Sequence, residues 1–253
     1  FNTMLAEPMP AILQREIQPP CQAACPAGVR VRDYIALIAQ GRYRDADGLI
    51  RERMPFSSAC GRICYQPCEA ECNRGLVDEP VAIMYLKRFI SDYAYQAKFS
   101  LPNPVAKTRA ERIAIIGAGP SGLTAAQDLT RLAYSVTVFE ALPFPGGTLR
   151  AALPPYRLPK KLLDWDIENI LALGIKLNTN TTLGKGFSLK ELKEEGYSAI
   201  LIATGADRSR KLSQPEAGIF AEGDSSFGTM WTVHAVAAGH KGAVSIDNYL
   251  QGK

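Results

Sequence analysis

The run RIAIIGAGPSGLTAAQDLTRLAYSVTVFEA, residues 112–141, restricts this chain to a narrow set of folds. An apolar strand enters a glycine turn, a helix leaves it and a second apolar strand follows, all within about thirty residues, the span of a β–α–β unit. Gly117, Gly119 and Gly122 form G-x-G-x-x-G, with Pro120 and Ser121 opening the helix. Gly117 permits the sharp turn, Gly119 has no side chain to hold a pyrophosphate off the backbone, and Gly122 lets helix and strand pack closely. The free N–H groups and partial positive charge at the helix start suit a phosphate. Glu140 ends the second strand 21 residues after Gly119, and Ala141 follows it. A carboxylate there accepts hydrogen bonds from a ribose 2′-OH and repels a 2′-phosphate. Further strands are predicted over 176–183 and 198–204, and helices over 160–173 and 232–250. Strands alternating with helices predict a Rossmann-like α/β domain with a parallel sheet.

The chain reads differently before residue 100. Residues 31–53 show apolar positions at helical spacing on either side of Gly41, predicting two short helices, and a third is predicted over 81–95. No stretch there alternates as a strand does. The Pro-rich, polar SLPNPVAKTRA (100–110) reads as a linker, which divides the chain into a helical domain, 1–102, and a dinucleotide-binding domain, 103–253. All six cysteines precede the linker: Cys21, Cys25, Cys60, Cys64, Cys68 and Cys72. With 253 residues, 47% of them hydrophobic and 21% charged, both parts can bury a core. The net charge of +4 is mild and no basic run interleaves with aromatics, which argues against nucleic acid. No apolar stretch reaches the roughly 18 residues of a membrane span. The first residues lack the pattern of a secretion signal, so the expected compartment is a reducing cytoplasm.

Four of the cysteines, in CGRICYQPCEAEC (60–72), are spaced four residues apart. On one continuous helix they would spread over about 18 Å at 1.5 Å per residue, too far for one metal centre. Gly61 and Pro67 are expected to break the helix and let the chain curl. Spacing alone allows a structural zinc as well as an iron–sulfur cluster. The upstream Cys21-Gln-Ala-Ala-Cys25-Pro26 matches the C-x₃-C-P tail of a ferredoxin run. In two-cluster ferredoxins the cysteine before the proline serves the other cluster, so Cys25 is expected to join the 60–72 segment and Cys21 to lie apart, near Cys72.

Three later stretches bear on the dinucleotide: Gly147-Thr148-Leu149, Ala203-Thr204-Gly205, and Gly223-Asp224 ahead of a helix starting at Thr232-Val233. In this order they resemble the two-dinucleotide-binding flavoproteins, which implies FAD. In that family the aspartate holds the ribityl chain and the last helix points its N-terminus at the flavin. By the same resemblance Arg157 is placed near the flavin, with a solvated loop arginine as the alternative. The segments PPCQAACPAGVRV, CGRICYQPCEAEC, DEPVAIMYLKRF and IGAGPSGLTAA resemble the glutamate synthase small subunit and the N-terminal portion of dihydropyrimidine dehydrogenase. That resemblance implies a helical domain with 4Fe-4S clusters followed by an FAD domain. Cys25, Cys64 and Cys68 are then cluster ligands, with Cys60 as the fourth.

Two departures from the family pattern matter. A C-x₂-C upstream of Cys21 is missing, which leaves one cluster; a second would need non-cysteine groups or a partner chain. The family's inserted NAD(P)H-binding domain is also missing, because only 17 residues separate Gly205 from Gly223. Either the domain is lost or a stretch near Leu212–Ser213 is omitted, and the abrupt junction favours omission. The resemblance implies an electron-transfer subunit that passes electrons between NAD(P)H, FAD, the cluster and a partner. The partner would be a glutamate synthase large subunit or an aldehyde- or formate-type metalloenzyme. The alternative is a non-catalytic FAD-binding assembly subunit. Arg42, Arg44, Arg51 and Arg53 are read as a solvated helix face or a dock for an acidic partner, and His234 and His240 as solvated or helix-packing residues.

Overall fold

A computed structural model describes residues 18–205, 216–221 and 231–253. Six α-helices precede the linker: α1 (Pro20–Ala23), α2 (Val31–Ala39), α3 (Tyr43–Arg53), α4 (Ser57–Ile63), α5 (Pro67–Ala70) and α6 (Ile83–Gln96). Gly41, at φ 72°, makes the turn between α2 and α3 that the sequence predicts. No strand occurs among the described residues before β1 (Arg112–Ile116). The chain then runs through α7 (Pro120–Arg131), β2 (Ser135–Phe139), α8 (Gly147–Ala151), α9 (Lys160–Leu171) and β3 (Lys176–Asn178). It ends with α10 (Leu189–Glu194), β4 (Tyr197–Ile202), β5 (Ile219–Ala221) and α11 (Thr232–Leu250).

The five strands form one sheet in the order β3-β2-β1-β4-β5, every pair parallel. Alternate residues of β1 and β4 supply opposite faces. Ile113, Ile115, Ala199 and Leu201 join one buried cluster, whereas Ala114, Ile116, Ile200 and Ile202 join another beneath Leu192 of α10. Across the first face α11 lies on α7 at Gly239, where a Cβ would stand 2.4 Å from the Ser121 carbonyl oxygen. The predicted strand 176–183 is shorter than expected. Only Lys176–Asn178 pairs with β2, because Asn180 turns into the left-handed region at φ 55°.

The two halves share one core. The cluster that holds Ile113 and Leu129 continues through Ile50, Met54, Phe56 and Cys60. Above it runs a polar seam at the α3–α4 junction. A helix leaves its last carbonyls and first N–H groups unpaired, and here the second half supplies the partners. Gln127 donates to the Arg51 carbonyl (3.0 Å), Arg131 to that of Glu52 (3.4 Å), and His240 Nε2 meets that of Arg53 (3.0 Å). Asp166 on α9 accepts from the Ser58 and Ala59 N–H groups at 3.0 and 3.3 Å, doing for α4 what an N-cap side chain does. The other ring nitrogen of His240 meets Asp128 at 2.5 Å. His240 is therefore a packing residue of α11, as the sequence suggests.

The arginine expectation needs correcting. Arg42 pairs with Asp45 (2.7 Å) and Arg44 with Ser100 (2.7 Å) at the surface. Arg51 is buried against Asp47 (2.9 Å) and Asp166 (3.2 Å), and Arg53 donates to the Ala27 carbonyl (3.0 Å). Arg51 belongs to no solvated face or dock, because tertiary packing covers it, whereas Arg53 stays exposed.

Candidate functional site

A cleft of about 380 Å³ opens at the C-terminal ends of β1, β2 and β4. Gly117, Gly119, Pro120 and Ser121 form its floor, Glu140 and Ala141 one wall, and Gly147 and Thr148 the entry to α8. Ala203, Thr204 and Gly205 come from the end of β4, and Thr232 from the first turn of α11. Four expected residues do not line it. Gly122 backs the turn, Leu149 and Val233 are buried in the core, and Arg157 is exposed. Gly223, Asp224 and the Leu212–Ser213 junction lie outside the described residues. The sequence reading missed Thr181, Thr182 and Leu183, which line the cleft just after β3. The polar run TNTT (179–182) is their signal in the sequence, and its threonines fit a strand equally well.

The glycines act as their spacing predicts. Gly117 stands at φ 111°, and a Cβ there would meet the Ala203 carbonyl oxygen at 2.4 Å. A Cβ on Gly122 would meet the Gly117 carbonyl oxygen at 2.0 Å. Gly119 has nothing within 4 Å of its Cβ position, so the space beside it opens into the cleft. Pro120 brings no N–H to the start of α7, and no side chain caps Gly119. The buried Ser121 Oγ has no partner among the described residues. Open space, uncapped N–H groups and an orphan hydroxyl together fit a phosphate-bearing ligand. Glu140 is buried and braces the turn: its two oxygens accept from the Ala118 and Leu142 N–H groups at 2.7 and 2.9 Å, leaving lone pairs facing the cleft wall. Gly119→Val is expected to keep the unfolding temperature while weakening dinucleotide binding on the order of 100-fold, about 2.7 kcal/mol. Flavin titration of the apoprotein checks this, and equal affinity would refute the role of Gly119.

The cysteines separate into two groups. Cys60 lies on α4, Cys64 ends it, and Cys68 lies on α5. Cys25, just after α1, and Cys64 both act electrostatically on Cys60 and on Cys68, whereas Cys72 acts on Cys21. Cys68, Cys25 and Cys21 all act on Tyr34, so Cys21 is also near part of the first group. Burial pushes the Cys68 thiol up to about 11 and the fully buried Cys60 higher still. All six cysteines are free thiols. The chain does break within 60–72, but not at Gly61, which stays inside α4. The Arg88 backbone lies 2.8 Å from where a Gly61 Cβ would be, so this glycine serves helix packing. The break falls at Cys64 to Gln66, where Gln66 takes φ 62° and Pro67 starts α5. Among the described residues no three His, Cys, Asp or Glu side chains are placed to hold a single metal ion. A four-iron cluster is a larger body than one zinc ion, whose thiolates would all lie about 2.3 Å from a point. Soft thiols on the curled 60–72 segment, with Cys25 after α1, are the type of donor such a cluster takes.

The two sites meet at one helix end. Tyr65, between Cys64 and Gln66, stacks on His234 at 5.4 Å and packs on Trp231 at 5.5 Å. Its hydroxyl lies 3.3 Å from His234 Nε2. Thr232, the first residue of α11 and placed between those two, lines the cleft.

Fold and site define a helical iron–sulfur domain joined to a Rossmann-like dinucleotide-binding domain. Residues 15–99 match the family model for dihydropyrimidine dehydrogenase domain II, 4Fe-4S cluster, and residues 115–165 that for an NAD(P)-binding Rossmann-like domain. The chain belongs to the family of the glutamate synthase small chain and the dihydropyrimidine dehydrogenase N-terminal portion. It is 40% identical over 214 residues to the NADP(+)-dependent formate dehydrogenase subunit beta of Moorella thermoacetica, covering 76% of this chain and 30% of that one. The NAD-dependent dihydropyrimidine dehydrogenase subunit PreT of Escherichia coli K12 is 37% identical, covering 74% of this chain and 45% of PreT. The NADPH glutamate synthase small chain of Mycobacterium tuberculosis is 33% identical, covering 78% and 40%. The chain thus spans between 30 and 45% of the length of these relatives. No helix among the described residues is long and apolar enough to cross a membrane.

Proposed function

We propose that the chain is the FAD and 4Fe-4S part of an electron-transfer subunit in a multi-subunit oxidoreductase. It would pass electrons between NAD(P)H and a partner catalytic subunit of the glutamate synthase or aldehyde/formate type. The observation that carries this reading is the meeting of the two sites: the helix end that closes the dinucleotide cleft is stacked against the loop that carries Cys64 and Cys68. Bound FAD supplies the exchange between two-electron hydride chemistry and one-electron transfer.

The chain's own residues position and polarise. The α7 N-terminus and the open space at Gly119 receive the pyrophosphate, and Glu140 faces the ribose. The α11 N-terminus at Thr232 presents a partial positive charge to the cleft, which favours an anionic ring system there. Cys25, Cys60, Cys64 and Cys68 hold the cluster, with Cys21 and Cys72 left outside it. The domains of this reading are 1–102 and 103–253, with the pyridine-nucleotide module supplied by sequence inserted near 212–213. Its compartment is the cytoplasm, where free thiols persist.

The test is to purify the protein anaerobically, add NADH and then NADPH, and follow the flavin absorbance. Rapid bleaching supports the electron-input reading. A flavin that dithionite reduces and neither nucleotide does would sink it, leaving the assembly-subunit reading.

A further inference from the structure

Three arginines line a second, smaller cavity at the seam between the halves, away from both sites described above. It encloses about 170 Å³ and draws its walls from α3 (Arg44, Asp47, Arg51), the linker (Ser100), α7 (Arg131) and α9 (Asn169). Its polar groups are left with donors to spare. Arg51 is 7% exposed. Its Nε donates to both oxygens of Asp47 at 3.0 and 2.9 Å, and its Nη1 to Asp166 and the Pro55 carbonyl at 3.2 and 3.3 Å. Its Nη2 is buried and has no partner among the described residues. Arg44 meets the Ser100 hydroxyl (2.7 Å) and the Phe99 ring (4.6 Å), and Arg131 the Glu52 carbonyl (3.4 Å). Among the described residues neither of these two forms an ion pair. The carboxylates whose fields reach Arg131 lie against other groups, Asp128 against His240 (2.5 Å) and Glu52 against Arg30 (3.9 Å). Three guanidiniums set against Asp47 and Asp166 leave the cavity positive.

A buried donor without an acceptor is costly, and a native fold rarely keeps one without a reason. Guanidinium forks match the geometry of oxyanions, and hydrogen bonds between ions are the strong ones. The cavity has less than half the volume of the dinucleotide cleft, about 380 Å³. Its space is that of roughly five or six waters at about 30 Å³ each, enough for a small anion and too little for a nucleotide. We propose that this cavity binds a phosphate-sized oxyanion, held by Arg44, Arg51 and Arg131. The Ser100 hydroxyl, which accepts from Arg44, keeps its own O–H to donate. Because the three arginines stand on α3 and α7, on opposite sides of the linker, the anion ties the two halves together and stabilises their junction. The inference uses no part of the cofactor assignment.

The experiment takes the protein as purified, exchanges it into a chloride buffer, and titrates inorganic phosphate at constant ionic strength. Unfolding temperature and heat of binding are both recorded for wild type, Arg131→Gln and Arg44→Gln. Arg131 and Arg44 are exposed, so these variants keep the packing that buried Arg51 supports. Wild type is expected to show a saturable rise in unfolding temperature, as a ligand of the folded state alone produces. Each variant is expected to need on the order of tenfold more phosphate for half-saturation, the loss of one charge-assisted contact. Phosphate seated at Gly119 in the dinucleotide cleft would stabilise Arg131→Gln as much as wild type, and that result would overturn the inference. So would a wild type whose unfolding temperature and heat show no saturable response, since water alone would then fill the cavity.

Discussion

Cys64→Ala and Cys68→Ala are expected to leave the chain with almost no iron or acid-labile sulfide, whereas Cys21→Ala retains both. Cys25→Ala and Cys60→Ala belong with the first pair and Cys72→Ala with Cys21. The reason is the proposed ligand set, in which Cys25 and Cys64 both act on Cys60 and on Cys68 while Cys72 acts on Cys21. A cuboidal cluster on three thiolates loses an iron or falls apart. Ligand binding here is also proton release. With Cys68 pushed up to about 11 and Cys60 higher, the apoprotein holds protonated thiols at neutral pH, and assembly must displace those protons. Reconstitution should therefore weaken as pH falls and release protons at constant pH. Iron and sulfide content with visible absorbance settles the ligand set. Cys21→Ala losing as much iron as Cys64→Ala would sink the proposed set.

The second large effect falls on Asp166. Asp166→Ala would strip the α4 N-terminus of its acceptor, leave the Ser58 and Ala59 N–H groups buried and unpaired, and deprive Arg51 of one of its two carboxylates. Breaking a buried ion pair by removing one partner costs about 3–5 kcal/mol, a fall on the order of 10 °C in Tm for a chain of this size. The pH dependence follows from burial, which pushes the Asp166 carboxyl up to about 6 against the attraction of Arg51. Its folded value then lies above its unfolded value near 3.8, so between those limits the folded chain holds a proton that the unfolded chain has released. This group's contribution is greatest below about pH 4, declines as pH rises through about 6, and is lowest above that, by on the order of 3 kcal/mol. Denaturant unfolding of wild type and Asp166→Asn from pH 4.5 to 7.5 measures it. A stability difference that does not change with pH would show that Asp166 does not titrate in this window.

Much of the site was legible because its determinants are local. Gly117 needs its positive φ, and Gly122 its missing Cβ, because of atoms within a few residues or on the adjoining strand. Helices α2, α3, α6 and α11 follow from apolar periodicity, which any neighbouring surface would satisfy. Three features could not be read in this way. Gly61 looked like a helix break and is a packing notch for Arg88. Arg51 looked like surface and is buried beneath α9. The Thr181–Leu183 segment looked like strand and turns into the cleft instead.

By itself, then, the sequence determined the helical first half, the glycine turn and the closing helix, because backbone constraint and side-chain period act over one or two turns of chain. Only the tertiary structure decided how the halves join. A carboxylate on α9 caps a helix 108 positions earlier, and Tyr65 of the cysteine loop stacks on His234, 169 positions later. Nothing in the local sequence marks Asp166 or Tyr65 for those roles. An unpaired N–H or an exposed ring face accepts any suitable partner that the packing of distant elements brings to it.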